Sequence, residues 1–386
     1  MRIFMLSCLL GLLPAQQGDS KPTTPAAPTR FANGLPRDAT FFPLAVWLQA
    51  PSNAARFSDL GINLYVGLYG GPTQEQLAAL EKARMPVLCA QNDVGLAHRG
   101  KVIVGWLHGD EPDNAQAATV GYGPPIEPWQ VVASYERMRK ADPTRPVLLN
   151  LGQGAAWDGW HGRGSRTNHP EDYPEYLKGC DLASFDIYPV THAKEAVKGK
   201  LEFVGRGVQR LRGWTNGKKP VWACIETTHV DNAAARPTPE QVRAEVWMAI
   251  ACGASGIVYF AHEFAPQFVE AGLLAHAEIA AAVKRVNAEV LAVAAVLNGP
   301  TVDGAVRVDA GKDGEVAVLC KQDGRDLVLF TASLRAEPAR ATFTVQGGKP
   351  GGKVEILGEK RQCTLDGAAF ADDFAPYAIH HYRIAR

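Results

Sequence analysis

The sequence predicts an α/β fold, a (β/α)8 barrel of the TIM type, followed by a small C-terminal antiparallel β-sandwich. Three observations carry this. From Phe41 to about residue 297, short apolar runs alternate with helix-period segments, the pattern of a parallel sheet wound by crossover helices. There are eight such runs, the strand number of a closed barrel. After Pro300 the character changes to short alternating runs with Gly and Asp turns, AVRVDA, EVAVLCKQ, DLVLFTAS, ARATFTVQ, KVEILG and AIHHYRIA, which predict a sandwich of about six or seven strands.

Taken in order, the chain begins with Arg2, an apolar core from Ile3 to Leu13 and then Pro14-Ala15-Gln16. This reads as an export leader cut near residues 15–17, its core too short to span a bilayer. Cys8 comes too early in the core for a lipoprotein site. The next stretch, GDSKPTTPAAPTR, has no packable face and reads as linker. The expected division is leader 1–17, linker 18–38, barrel 39–299 and sandwich 300–386. The expected location is periplasmic or extracellular, with no integral membrane segment after the leader is removed.

The eight strand runs are 41–49, 62–69, 86–91, 102–111, 146–152, 181–190, 220–227 and 256–263. Amphipathic segments at 52–60, 73–84, 129–141, 201–213, 238–252 and 273–297 supply helices. The third crossover, Asn92 to Lys101, is too short for an ordinary helix and is the irregular member of the set. Period-2 alternation assigns faces. In 62–69 it sends Ile62, Leu64, Val66 and Leu68 outward, and Asn63, Tyr65, Gly67 and Tyr69 inward. In 181–190 Ser184, Asp186 and Tyr188 face in, and in 220–227 Trp222, Cys224 and Glu226 do. Between the fifth and sixth strands runs a long loop, 152–179, rich in aromatic residues. Such loops are uncommon unless functional. Its Trp157 and Trp160 suit the flat faces of sugar rings, or the loop folds onto itself.

Hydrophobic residues at 46% and charged ones at 21% are ordinary for a globular protein. The balance of 40 basic and 40 acidic residues gives no argument for nucleic acid or an anionic membrane, so the default partner is neutral. Outside the leader the cysteines are Cys89, Cys180, Cys224, Cys252, Cys320 and Cys363. With no CxxC or CxxH spacing, buried free thiols are expected, and Cys320 with Cys363 is the one pair to test for a disulfide. His380-His381 alternates across a late strand and reads as structural.

Two strand ends carry chemistry. The run KVIVGWLHGDEP closes on Asp110, Glu111 and a proline that cannot continue a sheet ladder. The run PVWACIETT closes on Glu226. Barrels hold their chemistry where strands end, and cleavage of a glycosidic bond needs one carboxylic acid to protonate the leaving oxygen and one carboxylate across the anomeric carbon. Ends of the fourth and seventh strands are expected to face one another across the mouth. Alternation sends Asp110 and Glu111 to opposite faces, so a bulged strand end is expected if both reach the site. His108 shares a face with Asp110 and is expected to partner it.

These positions resemble those of the (β/α)8-barrel retaining glycoside hydrolases of clan A, over roughly residues 40–297. In that clan the acid/base glutamate ends the fourth strand, often as Asn-Glu-Pro, and the nucleophile ends the seventh. The resemblance implies Glu111 as acid/base, Glu226 as nucleophile and Tyr188, in Asp-Ile-Tyr-Pro, as the tyrosine that orients the nucleophile. Asp110 stands where the clan places an asparagine that contacts the sugar 2-hydroxyl. A carboxylate there only accepts hydrogen bonds, and its charge raises the pKa of its neighbour. The eighth strand lacks the clan's tryptophan, with Tyr259 or Phe260 as substitutes. The expected substrate-binding set is Asp110, Tyr188, Asn150, Trp47, Tyr69, Gln91, Trp157, Trp160, Tyr259 and His262.

The sequence therefore predicts an exported glycoside hydrolase that acts on a neutral poly- or oligosaccharide by double displacement, with no cofactor and no metal. The competing reading is an inactive carbohydrate-binding barrel, which the departures at Asp110 and the eighth strand permit. A metal-dependent hydrolase using His108, Asp110, Glu226 and His262 is weaker, because no HxH pair or HExxH occurs.

Overall fold

A computed structural model describes residues 31–311 and 314–386. The leader and the first part of the linker lie outside these residues. Eight parallel strands close into a barrel in chain order: β1 Leu44–Trp47, β2 Leu64–Val66, β3 Val87–Ala90, β4 Ile103–Leu107, β5 Val147–Leu151, β6 Leu182–Phe185, β7 Val221–Glu226 and β8 Ile257–Phe260. Ala45 pairs with Leu64 on one side and Val258 on the other, which completes the ring. The helices are α1 Ala54–Ser58, α2 Gln74–Ala83, α3 Asp93–Ala97, α4 Pro128–Ala141, α5 Tyr173–Tyr176, α6 Glu202–Trp214, α7 Pro239–Ala251, α8 Gly272–Ala275, α9 Ala277–Ala292 and α10 Ala294–Leu297. The short third crossover holds the five residues of α3, and the barrel closes regardless. α2 and α7 start at capping boxes, Thr73 with Gln76 and Thr238 with Gln241, which satisfy the first free N–H groups.

The barrel interior is an apolar stack: Ala45, Trp47, Leu64, Val66, Leu88, Val104, Leu148, Leu182, Trp222, Cys224 and Val258. This reverses the expected faces of β2. Leu64 and Val66 fill the interior, while Tyr65 points out, edge-on to Phe57 and donating to the Ala50 carbonyl at 3.3 Å. A barrel strand is apolar on both faces, so the polar member of a pair need not be the inward one. In β6 and β7 the expected faces agree with those found, with Ala183, Phe185, Val221, Ala223 and Ile225 in the outer core. Leu35 joins the interior cluster, so the part of the expected linker from Phe31 to residue 38 packs with the barrel.

The C-terminal region forms eight strands rather than six or seven: β9 Val306–Asp309, β10 Val316–Asp323, β11 Asp326–Ser333, β12 Ala339–Val345, β13 Lys353–Ile356, β14 Arg361–Thr364, β15 Ala369–Phe374 and β16 Ile379–Ile384. They make a five-stranded sheet, β10-β11-β16-β13-β14, and a three-stranded sheet, β15-β12-β9. The two strands missing from the sequence reading, RQCT and AFADDF, lack the apolar alternation that marks a strand. β11 is buried on both faces: Leu327 and Leu329 enter the sandwich core with Phe343, Phe370 and Tyr382, while Val328, Phe330 and Ala332 pack on the barrel helices. Trp247 of α7 stacks on Phe330 at 5.7 Å, with His381 edge-on to both rings. His381 is thus structural, its buried ring held well below the usual histidine range by desolvation. All six cysteines from Cys89 to Cys363 are free, so Cys320 and Cys363 do not pair. No helix among the described residues is long and apolar enough to cross a membrane.

Two glycines let α6 sit close to its neighbours. A Cβ on Gly207 would lie 2.1 Å from the Phe185 ring of β6, and one on Gly205 would lie 2.9 Å from Cys252 Sγ. Gly207→Ala gains about 1 kcal/mol in helix propensity. It meets a ring that is fully buried, and overpacking of that kind costs about 1–3 kcal/mol. The variant is expected to unfold at lower urea than the parent; an unchanged or raised midpoint would show that Phe185 has room to move.

Candidate active site

The ends of β4 and β6 bring four carboxylates to the barrel mouth. β4 stops at Leu107, and by Glu111 the backbone has entered the left-handed region, φ 40°, with its N–H donating to the Asn150 carbonyl at 3.1 Å. A non-glycine residue rarely adopts that conformation without support from its surroundings. The turn is how Asp110 and Glu111 both reach the mouth: the strand has ended before them, and no bulge is needed.

Glu111 Oε2 accepts from Asn114 Nδ2 at 2.8 Å, and Asn114 Oδ1 accepts from the Trp160 indole N–H at 2.8 Å. An indole only donates, so Trp160 fixes the orientation of the Asn114 amide and leaves its NH2 for the glutamate. On another side Glu111 meets Asp186, one residue past β6. Two carboxylates in hydrogen-bonding contact must share a proton. Burial pushes the Glu111 carboxyl well above the usual range, and the charge and contact of Asp186 push it further, followed by Asp110 and Asp113. Burial likewise lifts Asp186 to about 7, against hydrogen bonds from Glu111 and from the Tyr188 hydroxyl that favour its charged form. The two titrate as a unit.

Asp110 Oδ1 accepts from Asn150 Nδ2 at 2.9 Å, while Asn150 Oδ1 accepts from Ser184 Oγ at 2.7 Å. The Asp110 carboxyl is raised, by burial first, with the Asn150 hydrogen bond opposing. Its charge does push on Glu111, as the sequence suggested, but after burial and Asp186. Asp113, fully buried, accepts from the Gly152 N–H and the Tyr173 hydroxyl, both at 2.9 Å, and its carbonyl accepts from Arg163. The β4 turn is thereby tied to the loop after β5. That loop is not structureless: it folds as short helical turns around buried Arg163, Tyr173 and Tyr176.

Glu226 is the main correction. It is 0% exposed, and its carboxylate accepts from the backbone N–H groups of Val190 at 2.6 Å and Thr191 at 3.0 Å. Behind it lies Glu245 of α7, also 0% exposed, whose carboxyl is pushed well up by burial and by Glu226. Burial lifts Glu226 to about 7, with the Val190 and Thr191 contacts opposing. Its carboxylate is therefore closed off from the open mouth rather than facing Glu111 across it. Strand order alone did not reveal this, because the cover comes from the segment after β6. Tyr188, expected to orient Glu226, contacts Asp186 instead.

The remaining expected residues divide. Asn150 and Trp160 join the cluster as described. Trp157 packs on Trp160 and edge-on to His192, set back from the carboxylates. Trp47 belongs to the interior stack. Gln91 donates to the Met138 carbonyl of α4, and Tyr69 stands on the rim, 84% exposed. Tyr259 points out of the barrel, donating to Asn287 at 2.6 Å, so of the two expected substitutes Phe260 is the one that packs on the interior cluster. His262 is buried beside Gln49. His108 faces Val131 of α4, not Asp110. His108, Asp110, Glu226 and His262 are thus not brought together, and no group of three or more metal-ligating side chains among the described residues is arranged to hold an ion. Sequence reasoning left Asp186 and Asn114 out of the site. Asp186 carried a signal in its inward period-2 position, and Asn114, three residues after Glu111 in a turn, carried none.

Residues 130–298 match a family model, Glyco_hydro_42, described as beta-galactosidase. No curated protein matches the chain. Among solved structures, an alpha-amylase from Geobacillus thermoleovorans complexed with acarbose superposes with a TM-score of 0.51 at 10% identity, covering 89% of this chain and 98% of that one. A beta-galactosidase from the Antarctic haloarchaeon Halorubrum lacusprofundi gives 0.46 at 12%, covering 69% and 59%. A GH51 alpha-L-arabinofuranosidase from Thermotoga petrophila gives 0.45 at 10%, covering 92% and 98%. At such identities the structural likeness is one of fold. In its barrel and in the family matched by residues 130–298, the chain resembles the (β/α)8-barrel glycoside hydrolases of clan A.

Proposed function

We propose that the protein is an exported glycoside hydrolase that cleaves a neutral oligo- or polysaccharide, with Glu111 donating the proton to the leaving oxygen. One observation carries the reading: at the mouth of the barrel, just past the end of the fourth strand, burial and contact with Asp186 push the Glu111 carboxyl well above the usual range, which favours its protonated state. A general acid needs that state before each turnover. Export rests on the leader-like N-terminus, and the neutral substrate on the balanced charge.

The resemblance makes Glu226 the nucleophile of a double displacement. For that role the Val190–Thr191 backbone has to lift from its carboxylate, because a nucleophile needs an oxygen open to the anomeric carbon. Asp186 is no substitute at its present position. A carboxyl that hydrogen-bonds the acid leaves no room for the anomeric carbon between the two. Its role in this proposal is to hold the acid's proton. The covered state of Glu226 also favours a second reading, a barrel that binds carbohydrate without turning it over.

The test is hydrolysis of aryl β-glycosides and polysaccharides by the parent, Glu111→Gln, Glu226→Ala and Asp186→Asn. Glu111→Gln is expected to lose about 10²–10⁴-fold in kcat on substrates with poor leaving groups. Azide rescue of Glu226→Ala, with inverted product, identifies the nucleophile. Binding without turnover in the parent would leave the carbohydrate-binding reading in place.

The pH profile tests the acid separately. A donor works only while protonated, so kcat/KM is expected to fall as pH rises through the titration of the Glu111–Asp186 pair. Asp186→Asn removes the neighbouring charge that raises Glu111, so its alkaline limb is expected at lower pH than the parent's. A limb that stays in place, or moves up, would remove Asp186 from this role.

A further inference from the structure

Residues 261–271, between β8 and α8, form an arm beside the carboxylates. Glu263 and Val269 exchange backbone hydrogen bonds at 2.9 and 2.8 Å, which makes a short antiparallel pair. The arm is pinned at its base: Phe264 N–H donates to the His229 carbonyl at 3.0 Å, Gln49 Nε2 donates to the Glu270 carbonyl at 2.8 Å, and Ala50 N–H donates to Glu270 Oε1 at 2.6 Å. It carries Phe264 and Phe268, 50% and 61% exposed, with ring centres 5.6 Å apart.

These rings continue a path that starts at the acid. Tyr188, which touches Asp186, lies 5.0 Å from Phe260; Phe260 lies 6.0 Å from Phe264; and His262 lies nearly parallel to both Phe264 and Phe268, at 6.1 and 5.9 Å. We propose that the arm is a distal sugar-binding site, at which Phe264 and Phe268 stack on an outlying neutral pyranose unit of a chain whose scissile bond lies at Glu111. The inference rests on the glycosidase reading and deepens it to a preference for chain length.

The chemistry favours a sugar over other occupants. A phenyl ring and a pyranose are both six-membered, so one sugar covers about one ring, and a path of three steps outreaches a single unit. The arm's two acids are turned to partners within the protein, Glu263 to His276 and Glu270 to the Ala50 N–H, so its exposed rings are what it offers a ligand. Flat aromatic faces on a pinned support add contact area at little entropic cost.

The experiment compares the parent with the double variant Phe264→Ala/Phe268→Ala, which removes the two exposed rings and keeps the backbone contacts. Its probes are β-1,4-linked gluco- and galacto-oligosaccharides from disaccharide to hexasaccharide, followed by calorimetric binding and by hydrolysis, together with aryl monoglycosides. The parent is expected to gain about tenfold in affinity or in kcat/KM between disaccharide and hexasaccharide in the series it accepts. The double variant is expected to lose that gain while its rate on aryl monoglycosides is unchanged. Length-dependent binding through the arm without hydrolysis would keep this inference and overturn the hydrolase reading. Hydrolysis with the same length dependence in both proteins, equal losses on aryl monoglycosides, or no binding of any oligosaccharide would overturn the inference. A change in oligomeric state on sedimentation with length dependence intact would overturn it too, and would make the arm a protein interface.

Discussion

The arrangement of the mouth depends on one electrostatic constraint: Glu111 and Asp186 are neighbouring carboxyls, and a charge on Asp186 raises the cost of charging Glu111. Two like charges side by side at a partly buried site favour retention of a proton, and here Asp110 and Asp113 press Glu111 in the same direction. Everything around the pair fixes how that proton is held. Trp160 orients Asn114, Asn114 occupies Glu111 Oε2, and the Tyr188 hydroxyl leans on Asp186. The unusual backbone at Glu111 belongs to the same account. A left-handed residue after β4 is held by the Asn150 carbonyl and by the buried Asp113 network, which anchor the turn on both sides.

The rest of the molecule gives this turn a rigid base. The interior stack fills the barrel below the mouth, so strand ends cannot shift independently. Outside, α7 is covered by the sandwich through Trp247, Phe330 and His381, which leaves α7 without a solvent face along most of its length. That burial, with Glu226 beside it, pushes the Glu245 carboxyl well above the usual range. The sandwich thus contributes to the electrostatics of the seventh strand end without reaching the mouth.

How much of this was legible depended on what each pattern encodes. Alternating strands and helices predicted the barrel, because the hydrophobic period reports backbone geometry directly. The inward faces of β6 and β7 were readable for the same reason, and placed Asp186 and Tyr188 at the mouth. β2 was misread since a barrel strand buries both faces, and Leu64 and Tyr65 are then indistinguishable by polarity. β14 and β15 were missed because RQCT and AFADDF are held as strands by their neighbours rather than by their own pattern. Glu111 was found from a strand that ends in Glu-Pro. The cover over Glu226 was not, since Val190 and Thr191 act through backbone N–H groups, which no side-chain pattern announces.

Asp110 shows how the chain accommodates its departure from the asparagine expected there. An aspartate can only accept, so the Asn150 amide turns its NH2 toward Asp110 and leaves its oxygen to receive the Ser184 hydroxyl, with the Cys224 thiol 3.9 Å away. An asparagine at 110 could satisfy that NH2 equally through its own carbonyl, and would bring an NH2 to the mouth where the aspartate brings a charge. The charge is what differs, and it falls on Glu111. An aspartate here therefore adds a further push on the Glu111 carboxyl, where an asparagine would present a donor. Asp186 and Asp113 push the same way, so three neighbouring carboxyls act together to raise that of Glu111.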